Sequence, residues 1–326
     1  MEDPMNLHHD KNSFAAAIQA TSDRLNIPPV FIEKDYWLTL VLKRLAESEY
    51  SASVVFKGGT SLSKGFRLID RFSEDIDIAV INVSGRTGNQ VRTLIREVEK
   101  NISVDLAEIT DSAITSKGSR FRKSVYTYPT ATDTRILPGI SNKLIIEINS
   151  FANPLPYESK YIESLITEAL LLNNQPQLIE KYDLHPFPIN ILNKCQTLLE
   201  KLVSLFRPSF EQSAITGLKG KIRHFYDLYF LFQDPDAKRF IDSKDFSIQF
   251  QEVWAHDQLA FEEPEGWNGQ SALKSPLFVQ WPALWGSLEG TYQKELSVLA
   301  YSKIPDPASI SRALSYLFEK LSPTPK

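Results

Sequence analysis

Residues 56–80 read FKGGTSLSKGFRLIDRFSEDIDIAV, and this stretch limits the fold more than any other part of the chain. It follows the apolar run Val54-Val55-Phe56, a short buried-strand signal that ends at Gly58 and Gly59. Two glycines let the backbone turn sharply and approach a ligand with no Cβ in the way. Thr60, Ser61 and Ser63 then supply hydroxyls, and a helix beginning there would aim backbone N–H groups at an anion. Fifteen residues separate Gly59 from Asp75-Ile76-Asp77, which opens a second apolar run through Ile81. On a strand the side-chain period is two, so Asp75 and Asp77 share a face. Two carboxylates so placed repel each other unless a hard cation lies between them, and the spacing suits Mg²⁺. A lone Asp-x-Asp is common on solvated strand edges, and a lone Gly-Gly-Thr in ordinary turns. Together, with core-like Ile76, Ile78, Ala79 and Val80 around the acids, they point to a metal–nucleotide site.

The flanking sequence predicts what surrounds this unit. Residues 13–25 and 31–48 read as helices parted by Pro28 and Pro29, the second carrying Trp37, Leu38, Val41, Leu42 and Leu45 at helical spacing. A polar loop is expected over 82–90, a helix over 91–101, strands over 120–129 and 143–151, and a break at 153–157. Beyond about residue 188 the pattern becomes helical, clearest over 191–206, 221–232 and 310–321. The 326 residues exceed the usual length of one domain. The expected architecture is α/β (α+β), a domain with a mixed sheet over 1–155 and a mostly helical domain over 156–326. Trp254, Trp267, Trp281 and Trp285 suggest a packed module near the C-terminus and no chemistry.

Composition removes several alternatives. Cys195 is the only cysteine, so no internal disulfide can form, and the scattered histidines, with His8 and His9 adjacent near the start, do not suggest zinc. The first residues lack a basic segment leading into an apolar run, so no leader is expected; no run is long and apolar enough to span a membrane, and a cytoplasmic location is expected. A net charge of −4 makes bulk attraction to nucleic acid a poor explanation of function. One local exception is Lys117, Arg120, Arg122 and Lys123, with Phe121, Tyr126 and Tyr128 in or beside them. Such a ribbon can follow an RNA backbone, or be ordinary wet surface.

GGTSLSKGF followed by RFSEDIDI resembles the AbiEii family of toxins, a branch of the polymerase-β-like nucleotidyltransferases. The likeness continues through FRKSVYTYPT, KLIIEINSF, LLEKLVSLFR and HFYDLYFLF, roughly residues 30–235. It implies an enzyme that uses Mg²⁺ (or Mn²⁺) to move a nucleotide from an NTP to an acceptor. It implies metal ligation by Asp75 and Asp77, with Glu147 as the third carboxylate, acting as base or completing a second metal position. Gly58, Gly59, Thr60, Ser61 and Lys64 would meet the nucleotide, Lys201 its phosphates, and Asp227 would orient Lys201 or another basic group. Simpler readings stand beside these. Glu147 can face solvent or pair with Lys143, Lys201 can be a solvated helix lysine, and Asp227 can pair with Arg223 one turn earlier. Arg67 and Arg71 read best as a solvent-facing helix edge. The resemblance implies the tRNA 3′ end as acceptor and a cognate antitoxin as partner. The alternatives are nucleotidylation of a protein hydroxyl, or an idle nucleotide-binding protein that acts through partners.

Overall fold

A computed structural model of the chain describes residues 5–73, 75–81, 83–110, 114–132, 141–152 and 154–322. Asn82 in the expected loop and Asn153 in the expected break lie outside them. The chain divides into two compact units, Met1–Gly65 with Phe72–Leu192, and Phe66–Arg71 with Asn193–Lys326.

In the first unit, helix α1 (Lys11–Leu25) starts at Asp10, whose carboxylate accepts from the Ser13 N–H, and stops at Asn26 in the left-handed region. Helix α2 (Pro29–Glu47) opens with proline, where no N–H is needed. It buries Trp37, Leu38, Val41, Leu42 and Leu45, the face its periodicity predicts. Strand β1 (Val54–Lys57) runs directly into the short helix α3 (Gly58–Lys64), and β2 is Asp75–Val80. Helix α4 (Gly88–Ile102) begins with a capping box between Thr87 and Gln90. Then come β3 (Ala107–Ile109), β4 (Ser116–Lys117), β5 (Phe121–Thr127), β6 (Lys143–Asn149) and β7 (Tyr157–Ile162). Helices α5 (Leu165–Leu172) and α6 (Pro176–Lys181) lead to β8 (Phe187–Leu192).

These strands form one mixed sheet in the order β3-β5-β6-β2-β1-β8-β7, with β4 paired to β5. β2 and β6 run parallel, as do β1 and β8; β1–β2, β5–β6 and β7–β8 are antiparallel. Ile76, Ile78, Ile146 and Ile148 are fully buried on one face, where α4 packs against β6. The sheet does not end near residue 155. β7 and β8 extend it, and Phe187–Leu192, part of which the sequence reads as helical, is a strand. Phe187, Ile189 and Ile191 alternate inward in it, and the helix begins only after Asn193, whose side chain accepts from the Cys195 N–H at 2.9 Å.

The second unit is built from α7 (Lys194–Phe206), α8 (Ala214–Lys219), α9 (Ile222–Gln233), α10 (Pro235–Ile241), α11 (Asp245–Ala260), α12 (Pro276–Val279), α13 (Ala283–Leu299) and α14 (Pro307–Leu321). Its core joins Leu198, Leu202 and Phe206 of α7 to Phe225, Leu228 and Leu231 of α9 and to Leu314 and Leu317 of α14. Trp254 and Trp267 meet edge to face at 5.3 Å, as expected of a packed module. Residues 66–71 belong to this unit: Arg71 forms a β-bridge with Ala300, and Tyr301 N–H donates to the Asp70 carbonyl at 3.0 Å. Among the described residues, no helix is long and apolar enough to cross a membrane.

Candidate active site

Register places charged residues in a line across four strands. Lys57 on β1 pairs with Asp77 on β2, Asp77 with Glu147 on β6, and Glu147 with Lys123 on β5. Adjacent strands lie about 4.8 Å apart, so these side chains stand shoulder to shoulder. Asp75 precedes Asp77 by one strand period and joins the same face, opposite the buried isoleucines. Like charges directly across a sheet destabilise it. Here the order is cation, anion, anion, cation, and the outer lysines offset the inner acids.

Lys123 carries most of that offset. Its ammonium lies 3.0 Å from a Glu147 oxygen. Burial alone would lower its pKa, but attraction from Glu147, then Asp75 and Asp77, raises it above the ordinary lysine value. The ammonium is therefore a stand-in cation among the three acids that the sequence predicts as metal ligands. The donor set, carboxylate oxygens alone, suits a hard ion such as Mg²⁺ or Mn²⁺. In the present arrangement Glu147 is turned to Lys123, and among the described residues the three carboxylates do not fall within a single 4.8 Å cluster. The alternative partner suggested for Glu147, Lys143, lies four residues along the same strand, about 13 Å away at the backbone.

Gly58 fixes the position of Asp77. Its φ is +80°, and a Cβ added there would lie 2.0 Å from Asp77 Oδ2. Both the backbone region and the missing side chain are required. Gly59 and the hydroxyl residues follow within α3. Thr60 donates to the Asp75 carbonyl at 2.6 Å, tying the start of α3 to the start of β2, and Ser61 donates to the Gly58 carbonyl at 2.8 Å. Both hydroxyls thus brace the turn, while their oxygens keep the capacity to accept. Lys64 is committed elsewhere: its ammonium is 2.7 Å from Asp35 and donates to the Glu163 carbonyl, and the other Asp35 oxygen accepts from Leu165 N–H. Gly58→Ala is expected to displace the Asp77 carboxylate and lower nucleotide transfer about 100-fold, since a shift of about 1 Å in a reacting group costs that much. Near-wild-type turnover of a folded Gly58→Ala protein would show that Asp77 does not need its present position.

Lys201 and Asp227 are placed within the second unit. The Asp227 carboxylate is fully buried and accepts two hydrogen bonds from Arg71, at 2.7 Å from Nε and 2.6 Å from the terminal nitrogen. Lys201 Nζ lies 2.6 Å from the same Oδ2. Burial would raise the Asp227 pKa, but Arg71 and then Lys201 outweigh it and hold the carboxyl well below its usual range. This corrects two sequence readings. Arg71 is not a solvent-facing helix edge but a buried residue, and Lys201 is not a solvated helix lysine, because its side chain is only 7% exposed. His224 adjoins this group, and burial, then the charge of Lys201, lowers its pKa well below the ordinary histidine value. Sequence reasoning missed Arg71 as a member of the cluster and Lys123 as a partner of the acids.

The basic ribbon does not present one face. Lys117 is paired with Glu108 at 2.5 Å, and Arg122 with the buried Glu99 of α4 at 2.6 Å. Lys123 points to the opposite face, toward Glu147, and Arg120 is exposed just before β5.

Comparison with known proteins bears on the fold and the family. No curated protein sequence matches the chain. Among solved structures, MenT4, a nucleotidyltransferase toxin from Mycobacterium tuberculosis H37Rv, superposes with a TM-score of 0.52 at 17% identity, over 92% of this chain and 89% of that one. At that identity the likeness concerns the fold. The sequence matches the family described as nucleotidyl transferase AbiEii toxin, type IV TA system, over residues 40–298, most of its length. The chain therefore belongs to the AbiEii family of nucleotidyltransferase toxins of toxin–antitoxin systems.

Proposed function

We propose that this protein transfers a nucleotide from an NTP to the 3′ end of tRNA in the cytoplasm, with release of pyrophosphate, and that a cognate antitoxin restrains it. The observation that carries this reading is the line Lys57–Asp77–Glu147–Lys123, with Asp75 beside it and Gly58 pressed against Asp77. Three acids face one way from a rigid sheet, next to a glycine turn that admits a phosphate chain.

The acceptor 3′-oxygen attacks the α-phosphorus, and the bond from that phosphorus to the oxygen bridging the β-phosphate breaks. Glu147 takes the proton from the attacking hydroxyl, and Lys123 keeps its carboxylate aimed along the sheet face. Asp75 and Asp77, in a geometry set by Gly58 and by the Thr60 bond to the Asp75 carbonyl, would hold the divalent ion that draws the reacting phosphate into register. Mg²⁺ (or Mn²⁺), when held by Asp75, Asp77 and Glu147, would supply the charge that offsets the phosphoryl oxygens during in-line displacement. Lys201 contributes a point charge to the phosphates, held in one position by Asp227, which Arg71 holds in turn.

The test is to incubate the protein with each α-labelled NTP in turn, total tRNA and total cellular protein. Label at the tRNA 3′ end is the expected result. Label confined to protein would favour transfer to a side-chain hydroxyl, and no label in either pool would overturn the transfer reading.

A further inference from the structure

The chain carries a second group of metal-binding donors, made from none of the residues above. The short turn Leu7–His9 brings His8 and His9 against the loop that follows α4, where Asp105 stands. One donor atom from each of the three residues lies within 4.8 Å of the others, the one such group among the described residues. His8 Nε2 is 3.7 Å from Asp105 Oδ2, and the two imidazole rings are 4.3 Å apart. A tetrahedral ion with bonds of about 2.1 Å needs donor atoms about 3.4 Å apart, so little movement would close the site.

The His8 ring is built as a metal ligand would be. Its side chain is only 7% exposed, yet Nε2 is buried and has no hydrogen-bond partner. Nδ1 lies 2.8 Å from the Tyr36 hydroxyl, which also accepts from His8 N–H at 3.3 Å. With the proton on Nδ1, Tyr36 fixes the ring and Nε2 offers its lone pair toward Asp105, the outer-sphere arrangement of many metal-bound histidines. A buried polar atom left without a partner costs stability unless something occupies it.

Asp105 is held in advance. It sits in the left-handed region at φ 64°, and Arg44 clamps the turn through the Val104 carbonyl and a 2.6 Å contact to Asp105 Oδ2. The guanidinium also selects among ions. A hard cation that depends on carboxylate charge is opposed by Arg44, whereas an ion that gains its affinity from two imidazoles is opposed less. His9 is exposed, which leaves room for water as a fourth ligand.

We propose that His8, His9 and Asp105 bind a borderline-soft divalent ion, with zinc the best match, and thereby fasten the N-terminal turn to the loop after α4. The full-length protein is stripped with EDTA, placed in excess Mg²⁺ to occupy carboxylate sites, and titrated with Co²⁺ and with Zn²⁺. One equivalent of Co²⁺ should give the intense visible bands of a tetrahedral imidazole site, and Zn²⁺ should bleach them. His9→Gln changes an exposed ring outside the core, so folding is not at stake, and it should weaken Zn²⁺ binding about 100-fold. Asp105→Asn should weaken it in the same direction. Absence of saturable Zn²⁺ binding, or binding unaltered in both variants, overturns the proposal.

Discussion

Asp77→Asn should reduce nucleotide transfer by at least about 1,000-fold while the protein remains folded, because it removes charge and keeps shape. Asp77 is the centre of the charged line, with Lys57 on one side, Glu147 on the other and Gly58 beneath its carboxylate. An asparagine fits the same space, so packing alone is not disturbed. What is lost, on the proposed reading, is the negative charge that would hold a divalent ion beside the phosphates. The decisive comparison is turnover on tRNA under saturating Mg²⁺ beside a urea unfolding curve of the same preparation. Retention of more than a tenth of wild-type turnover by a folded variant would remove Asp77 from the chemistry.

The second large effect is on stability. Asp227→Ala should destabilise the second unit by about 3–5 kcal/mol, the cost of leaving buried charges without their partner. Arg71 and Lys201 both converge on this carboxylate, so its removal takes the same buried anion away from two largely buried cations. Lys201→Met is the informative contrast. It leaves the paired Arg71 hydrogen bonds intact, costs less stability, and removes the charge proposed to meet phosphate. The pH dependence follows from the sign of the shift. The Asp227 pKa is lower folded than unfolded, so its contribution is complete above the unfolded value of about 3.9 and disappears as pH falls through the folded one. Equilibrium unfolding of wild type and Asp227→Ala across acidic pH measures both points. Equal stabilities at neutral pH would refute the burial argument.

What the sequence reveals is mostly local. The Gly-Gly turn, the acids one strand period apart, and the apolar stripe of α2 all follow from spacings of two to four residues. Glu147 stands out because an acid inside an apolar strand needs a reason, and register sets it beside Asp77. What stays hidden depends on partners far apart in the chain. Arg71 reads as a surface residue because Asp227 lies 156 positions away, and no periodicity links them. Strand alternation already sends Arg122 and Lys123 to opposite faces; what the basic run cannot show is that Lys123 meets Glu147, an acid on a neighbouring strand. β8 escapes because Phe187–Leu192 runs straight into an amphipathic helix, so the helical period dominates the window. His8 and His9 give no metal-ligand spacing of their own, since the third donor comes from a loop near residue 105.

The path of residues 66–71 has a practical corollary. The chain leaves one unit after Gly65, contributes Arg71 to the other, and returns at Phe72 before Asp75 and Asp77. No single cut therefore yields two self-sufficient halves. A fragment starting at Asn193 would carry Asp227 and Lys201 without the guanidinium that grips Asp227, and a fragment ending at Leu192 would carry Arg71 without Asp227. Dissection of such a molecule calls for point substitutions, because each unit as it stands draws on chain from both sides of residue 72.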